Sequence, residues 1–175
     1  MQFTLTNLQN EIKENSNKLL KENIDLLETI QKVDDNCRID KKVWDLVIDQ
    51  GWLALDVPEE DGGLGFSNTD TAILSEVLGY YMPIIPIFSS GVVFKHILMN
   101  SKKEKKDELL PDIISGQKIG TFAVYESDKY EINHDTTNTQ LTTVDSGYIL
   151  SGNKKYVMFG DVSDYIAVLA KHEDG

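Results

Sequence analysis

Apolar residues recur at helical spacing in the N-terminal part of the chain. A broken apolar stripe crosses a strongly polar stretch at Leu8, Ile12, Leu19, Ile24, Leu27 and Ile30. This spacing predicts one or two surface helices that end near residues 34–36. Asp40 is a suitable N-cap for the next helix, whose apolar face continues to Ile48, and Gly51 is placed to end it.

Two longer apolar patterns follow. Ser67 or Asn68 can cap a helix whose apolar face repeats every three to four residues, and Pro83 ends this helix. Residues 87–99 are apolar on most sides, which predicts a central buried helix.

A charged run starts the last predicted helix. Residues 101–108 alternate lysines with acidic residues, which indicates a solvated helix face rather than a phosphate site. Pro111 is expected to close the helix, because proline lacks the N–H that a helix interior needs.

After Gly116 the pattern changes to short segments rich in β-branched and aromatic residues. The strand candidates are residues 120–126, 141–144, 148–151, 155–159 and 164–172. Helices followed by strands, without alternation, predict an α+β fold. We expect an all-α helical domain at residues 1–115 and a partial antiparallel β domain at residues 116–175.

Composition excludes some classes of partner. Lysine and arginine number 17 against 29 acidic residues, a net charge of −12 that repels a nucleic-acid backbone. No stretch approaches the length of apolar sequence that a membrane span needs. Cys37 is the single cysteine, and the first residues lack a signal-peptide pattern, so we expect a cytoplasmic protein without disulfides.

Generic catalytic motifs are missing from the sequence. His96, His134 and His172 lie far apart, without the spacing of a zinc motif, and a Cys-x-x-Cys pair is absent. The glycines between residues 62 and 65 do not follow a predicted strand in a dinucleotide-binding frame, and a Gly-x-Ser-x-Gly elbow is absent. We therefore expect no metal site and assign no catalytic residue within the chain.

Five short phrases stand in a characteristic order along the chain. They are residues 51–65 (GWLALDVPEEDGGLG), Asp70 with 75–79 (SEVLG), 110–120 (LPDIISGQKIG), 122–126 (FAVYE) and 147–157 (GYILSGNKKYV), with residues 163–165 (SDY) before a last strand. Each phrase is weakly specific alone. Together they resemble the acyl-CoA dehydrogenase family over about residues 40–170.

The resemblance implies a flavoenzyme with an N-terminal helical domain, a middle β domain and a C-terminal four-helix domain. Residues 116–175 would then form an incomplete middle β-barrel-like domain. It also implies FAD as the cofactor and an acyl-CoA thioester as the substrate of an oxidoreductase in fatty acid metabolism, with an electron-transfer flavoprotein or another molecule as acceptor. The family's base is a glutamate from the C-terminal part, so we expect it outside this chain. A homo-oligomer, or a partner subunit that supplies the C-terminal helical domain, is implied as well.

The family's flavin-contacting positions map onto two predicted strands. The corresponding residues here are Phe122, Val124, Tyr125, Tyr156 and Met158. Tyr125 and Met158 stand where the family has small hydroxyl residues, and residues 127–131 replace a Gly-Ser-Asp loop. These departures leave two alternatives open: a non-catalytic binding or assembly subunit that has lost flavin, and a split subunit that pairs with a separate C-terminal helical part. Glu126, an acid in an apolar strand, is expected either near the cofactor or in an edge or capping role.

Overall fold

The computed structural model describes residues 4–128 and 135–172. Its helical part consists of α1 (Asn7–Asn23), α2 (Leu26–Asp34), α3 (Lys41–Asp49), short 3-10 turns at Trp52–Ala54 and Glu59–Asp61, α4 (Asn68–Tyr81), a π-helical segment (Ile87–Phe94) that continues as α5 (Lys95–Met99), and α6 (Lys103–Ile114). The strands are β1 (Gly120–Ala123), β2 (Gln140–Val144), β3 (Gly147–Ser151), β4 (Tyr165–Val168) and β5 (Lys171–His172). The α+β fold class is confirmed.

Local capping chemistry sets the predicted helix boundaries. Asp40 accepts a hydrogen bond from the Val43 N–H at the start of α3, as predicted. Ser67 caps α4 within a reciprocal capping box that Asp70 completes. Gly51 follows α3 with φ +66°, a left-handed conformation that costs glycine little. Of the one or two helices predicted before Asp40, the structure has two, α1 and α2.

Residues 87–99 form one continuous helix, and its burial is one-sided. Ser89, Ser90 and Gly91 are buried. A Cβ atom on Gly91 would lie 2.7 Å from Leu53 Cδ2, so glycine permits this close approach. On the opposite side Phe88 is 52% exposed. The helix is therefore buried on its inner face only, and the prediction of burial on most sides is wrong at Phe88 and at Ile97, which is 41% exposed.

The prediction that Pro111 closes the last helix is wrong. Pro111 lies inside α6, which continues to Ile114. The turns before and after the proline are held by Leu110 and Ile113, which are buried in the core. Their packing offsets the hydrogen bond that a proline removes from a helix interior.

Strand pairing is mixed rather than antiparallel throughout. β2 and β3 form an antiparallel hairpin, whereas β1 pairs with β4 and β2 pairs with β5 in parallel. Asp164 explains the direction of β4, because its carboxylate accepts from the Ile119 N–H at 2.9 Å and pairs with Lys118 at 2.8 Å. The first residues of β4 are thereby held beside the first residues of β1, and both strands run the same way.

The predicted strand at residues 155–159 is also wrong, because residues 155–157 have no regular secondary structure and a turn begins at residue 158. Tyr156 and Phe159 have φ values of +55° and +53°, which no strand contains. The predicted strand at 120–126 ends at Ala123, and the one at 164–172 divides into β4 and β5.

An apolar cluster joins the helices to the strands. Val57, Phe94, Leu98, Leu110 and Ile113 form its buried centre, and Tyr165 and Ala167 of β4 pack against it. The ring of Phe94 stacks on that of Tyr165 with 6.4 Å between centroids. This cluster places β1 and β4 against the π-helical segment, which is where the candidate site lies.

Candidate functional site

The residues assigned to flavin contact lie on two segments of the β part. Phe122 is on β1, and Val124 and Tyr125 directly follow it; all three are half-buried. Neither Tyr156 nor Met158 lies on a second strand: Tyr156 is in an irregular segment and Met158 is in the turn that follows it. Their exposed fractions are 56% and 44%.

Two hydrogen bonds hold these segments side by side. The Lys155 N–H donates to the Tyr125 carbonyl at 2.8 Å. The Thr121 hydroxyl donates to the Met158 carbonyl at 2.6 Å. These two bonds hold the backbone of residues 155–158 against the β1 segment. The side chain of Met158 therefore extends from a backbone that is fixed in place.

An apolar groove begins at this edge. Phe88 of the π-helical segment packs edge-on against Phe122, with 6.5 Å between ring centroids. The groove has a volume of about 330 Å³ and runs from Met158 and Phe159 past Phe88 to Met82 beyond α4. Of the five residues assigned to flavin contact, Met158 is the one that lines it.

A larger groove continues along the same helix. It has a volume of about 830 Å³ and lies between α4 and the π–α5 helix. Phe88, Val92 and Ser75 line both grooves, so the two are continuous. Asp56 and His96 contribute polar atoms to a lining that is otherwise mostly apolar.

A buried ion pair lies behind the larger groove. Lys95 and Asp56 are paired, and each side chain is 1% exposed. The Lys95 ammonium also donates to the Leu53 carbonyl at 3.0 Å. Burial lowers the pKa of Lys95, and the hydrogen bond and charge of Asp56 oppose that shift.

Sequence reasoning missed this pair. One signal was present, because Lys95 is the single lysine in the mostly apolar run 87–99. Asp56 likewise stands between Leu55 and Val57. A charged residue at an inward position of an apolar segment indicates a buried partner, since an unpaired buried charge is costly.

Glu126 has the capping role that was one of its two predicted alternatives. Its carboxylate accepts from Lys154, from the N–H and hydroxyl of Thr139 and from the Asn138 N–H. Burial alone would raise the pKa of Glu126, but these hydrogen bonds outweigh it and hold the pKa well below its usual range. Glu126 therefore ties the end of β1 to the start of β2.

Within residues 4–128 and 135–172, no group of three His, Cys, Asp or Glu side chains is arranged to hold a metal ion. His134 lies outside the described residues. The helices of the same ranges include none that is both long and apolar enough to cross a membrane.

Comparisons with known proteins identify relatives of the chain. Residues 6–117 match the family model "Acyl-CoA dehydrogenase, N-terminal domain". The very long-chain specific acyl-CoA dehydrogenase of Rattus norvegicus, a mitochondrial protein, is 32% identical over 128 residues, which are 69% of this chain and 19% of the relative.

Solved structures share the fold over nearly the whole chain. The ChsE4-ChsE5 complex from Mycobacterium tuberculosis matches with a TM-score of 0.86 and 24% identity, over 100% of this chain and 47% of that one. A glutaryl-CoA dehydrogenase from Mycobacterium smegmatis in complex with FADH2 matches with a TM-score of 0.82 and 18% identity, over 98% and 44%. This chain thus spans less than half the length of the proteins it matches.

Proposed function

The chain belongs to the acyl-CoA dehydrogenase family, and on that premise we propose that it forms one edge of an FAD site and part of an acyl-binding groove. The enzyme would catalyse FAD-dependent α,β-dehydrogenation of an acyl-CoA thioester. The observation that carries the proposal is the continuity of the two grooves, which run along one helix from Met158 to His96. An elongated apolar ligand fits such a path.

The residues at the edge suit a flat apolar ring. Phe88 is 52% exposed and Met158 is 44% exposed, although both backbones belong to anchored segments. Exposed large apolar side chains on an anchored surface mark a contact site. The residues that would hold the flavin are Phe122, Val124, Tyr125, Tyr156 and Met158.

The chemistry divides between this chain and other groups. Bound flavin would supply the acceptor for the hydride that leaves the β-carbon. Phe88 and Val92 line the groove and would exclude water from the acyl group. Asp56 is ion-paired with Lys95, so we assign the α-proton to a base from a C-terminal helical part rather than to this carboxylate.

The proposal extends to partners. An acyl-CoA is the substrate, and an electron-transfer flavoprotein or another acceptor reoxidises the cofactor in fatty acid metabolism. Self-association, or a partner subunit that carries the C-terminal helical domain, covers the exposed edge at Phe88 and Met158. One structural relative, ChsE4-ChsE5, is itself a complex.

A second candidate is a fold-retaining assembly subunit without flavin. One observation favours it: the Thr121 hydroxyl beside this edge already donates to the Met158 carbonyl. Where the family has small hydroxyl residues, this chain has Tyr125 and Met158. This segment therefore offers a flavin fewer hydroxyl contacts from small side chains, as expected of a subunit that does not bind it.

Flavin loading separates the two candidates. Purified chain is incubated with FAD and desalted, and the visible spectrum is recorded. We expect flavin absorbance to elute with the protein, and Met158→Asp to reduce it, because the new carboxylate would lose hydration under the ring. Tyr148→Asp is the control, since Tyr148 is exposed on β3. A protein that stays colourless at high FAD concentration overturns the flavoenzyme proposal in favour of the assembly subunit.

A further inference from the structure

The far end of the larger groove contains an unpaired buried carboxylate oxygen. Asp56 lines this groove, and its side chain is 1% exposed. Its Oδ1 atom accepts from Lys95. Its Oδ2 atom is buried and has no hydrogen-bond donor among the described residues. Leaving such an atom unpaired is costly, which indicates that a donor from outside the protein reaches it.

His96 does not supply that donor in its neutral form. His96 Nδ1 lies 2.8 Å from the Val92 carbonyl, which accepts and therefore assigns the ring proton to Nδ1. His96 Nε2 is then an acceptor, and it lies 3.5 Å from Asp56 Oδ2. His96 Nε2 and Asp56 Oδ2 are both acceptors, so a single donor group placed next to them could hydrogen-bond to either atom.

A third polar atom shares the groove. Thr71 Oγ1 on α4 is buried and, among the described residues, also lacks a hydrogen-bond partner. A hydroxyl can both donate and accept. A ligand hydroxyl can therefore satisfy groups on both walls, since Thr71 is on α4 and His96 is on α5.

The charges at this site favour a neutral ligand group over a charged one. Lys95 already neutralises Asp56, so the site needs no additional cation. A ligand carboxylate would be repelled by Asp56 and would offer only acceptors to two acceptors. A hydroxyl donates without adding charge.

We infer that this groove binds an aliphatic chain whose far end carries a hydroxyl group, with Asp56 as the residue that determines this specificity. Phe88, Val92 and His96 are spaced four residues apart on one helix, so the path from the flavin edge to the hydroxyl site is roughly 12 Å. The inference rests on the proposed function in one respect: the bound chain would be the distal part of the acyl group.

The test uses short probes that contain no CoA. Hexan-1-ol, hexanoate and n-pentane are titrated into the chain, and the NMR signals of the His96 ring are followed. We expect hexan-1-ol to bind at least about tenfold more tightly than hexanoate or n-pentane, because it alone supplies the donor. Equal affinities for the three probes would overturn the inference.

Two variants locate the effect. Asp56→Asn and Thr71→Val should each weaken hexan-1-ol binding several-fold and leave n-pentane binding unchanged. Asp49→Asn and Thr69→Val are the matched controls, because both residues are exposed and neither lines the groove. If Asp56→Asn does not fold, Thr71→Val and the preference for hexan-1-ol over hexanoate decide the outcome. Unchanged hexan-1-ol binding in Thr71→Val would then overturn the inference.

The outcome is separable from that of flavin loading. If the chain loads FAD but binds hexan-1-ol no more tightly than hexanoate or n-pentane, only this inference is overturned. If the chain binds hexan-1-ol as expected but does not load FAD, only the proposed function is overturned.

Discussion

The two most deeply buried ion pairs of the described residues differ in what surrounds them. Lys95 and Asp56 lie in the helical part, where each side chain is 1% exposed. Lys154 and Glu126 lie in the β part, where the side chains are 8% and 11% exposed. Both pairs join a lysine to a carboxylate, but one pair faces a groove and the other ties two chain segments together.

Hydrogen bonding separates the pairs most clearly. Both oxygens of Glu126 accept from groups on the protein. One oxygen of Asp56 has no donor among the described residues. An ion pair whose oxygens all have donors within the protein has a structural role by itself. A pair with one oxygen lacking a donor keeps an acceptor for a ligand. Substitutions in each pair therefore test that contrast.

Asp56→Ala should cause the largest loss of stability. It leaves the Lys95 ammonium buried without its partner, which costs about 3–5 kcal/mol. Urea unfolding measures the change. Asp49→Ala, at an exposed position, should stay within about 0.5 kcal/mol of the parent. The double variant Lys95→Met/Asp56→Leu should recover part of the loss, and a double variant less stable than Asp56→Ala would contradict the unpaired-charge explanation.

Glu126→Gln should destabilise the protein by less, about 1–3 kcal/mol. The glutamine amide offers a single acceptor oxygen to four donors and weakens the contact with Lys154. The measurement is again urea unfolding, with Glu60→Gln as an exposed control. An effect no larger than that of the control would show that the Glu126 contacts do not contribute to stability.

The pH dependence of the Glu126 effect has a definite sign. The folded-state pKa of Glu126 lies below the ordinary value of 4.5, so between the two values the unfolded state binds more protons. Its contribution is complete above that ordinary value and falls as pH drops towards the folded pKa. We expect the stability difference between the parent and Glu126→Gln to shrink below pH 4.5. A difference that grew on acidification would be inconsistent with this assignment.

Thr71→Val should have the smallest effect on stability, from neutral to about 1 kcal/mol stabilising. It removes a buried hydroxyl that has no partner among the described residues and keeps the side chain's shape. Thr69→Val, at an exposed position of the same helix α4, is the control. Thermal unfolding measures both, and a clear loss for Thr71→Val alone would mean that its hydroxyl is satisfied within the protein.

Several local features were predictable because their causes lie within a few residues. Asp40 caps α3, Ser67 caps α4 and Gly51 ends α3, in each case through a contact or conformation confined to one turn. The assignment of the family required only the order of short phrases, and it holds. The fold class followed from the change of pattern near Gly116.

Other predictions failed where distant residues decide the outcome. Residues 155–159 have the composition of a strand, yet hydrogen bonds to Tyr125 and Thr121 hold them in an irregular segment and a turn. Pro111 stays within a helix because Leu110 and Ile113 are anchored in the core. These contacts join residues that are far apart in sequence, so no local pattern contains them.

The sequence by itself determined the family and the helical and strand-forming parts. These depend on spacing, turn chemistry and residue type, which are local properties. Only the tertiary structure decided that Asp56, Lys95 and His96 meet behind one groove. The reason is physical: burial and unpaired atoms arise from packing between segments that are distant in sequence, here joined by the Lys95–Asp56 pair at a separation of 39.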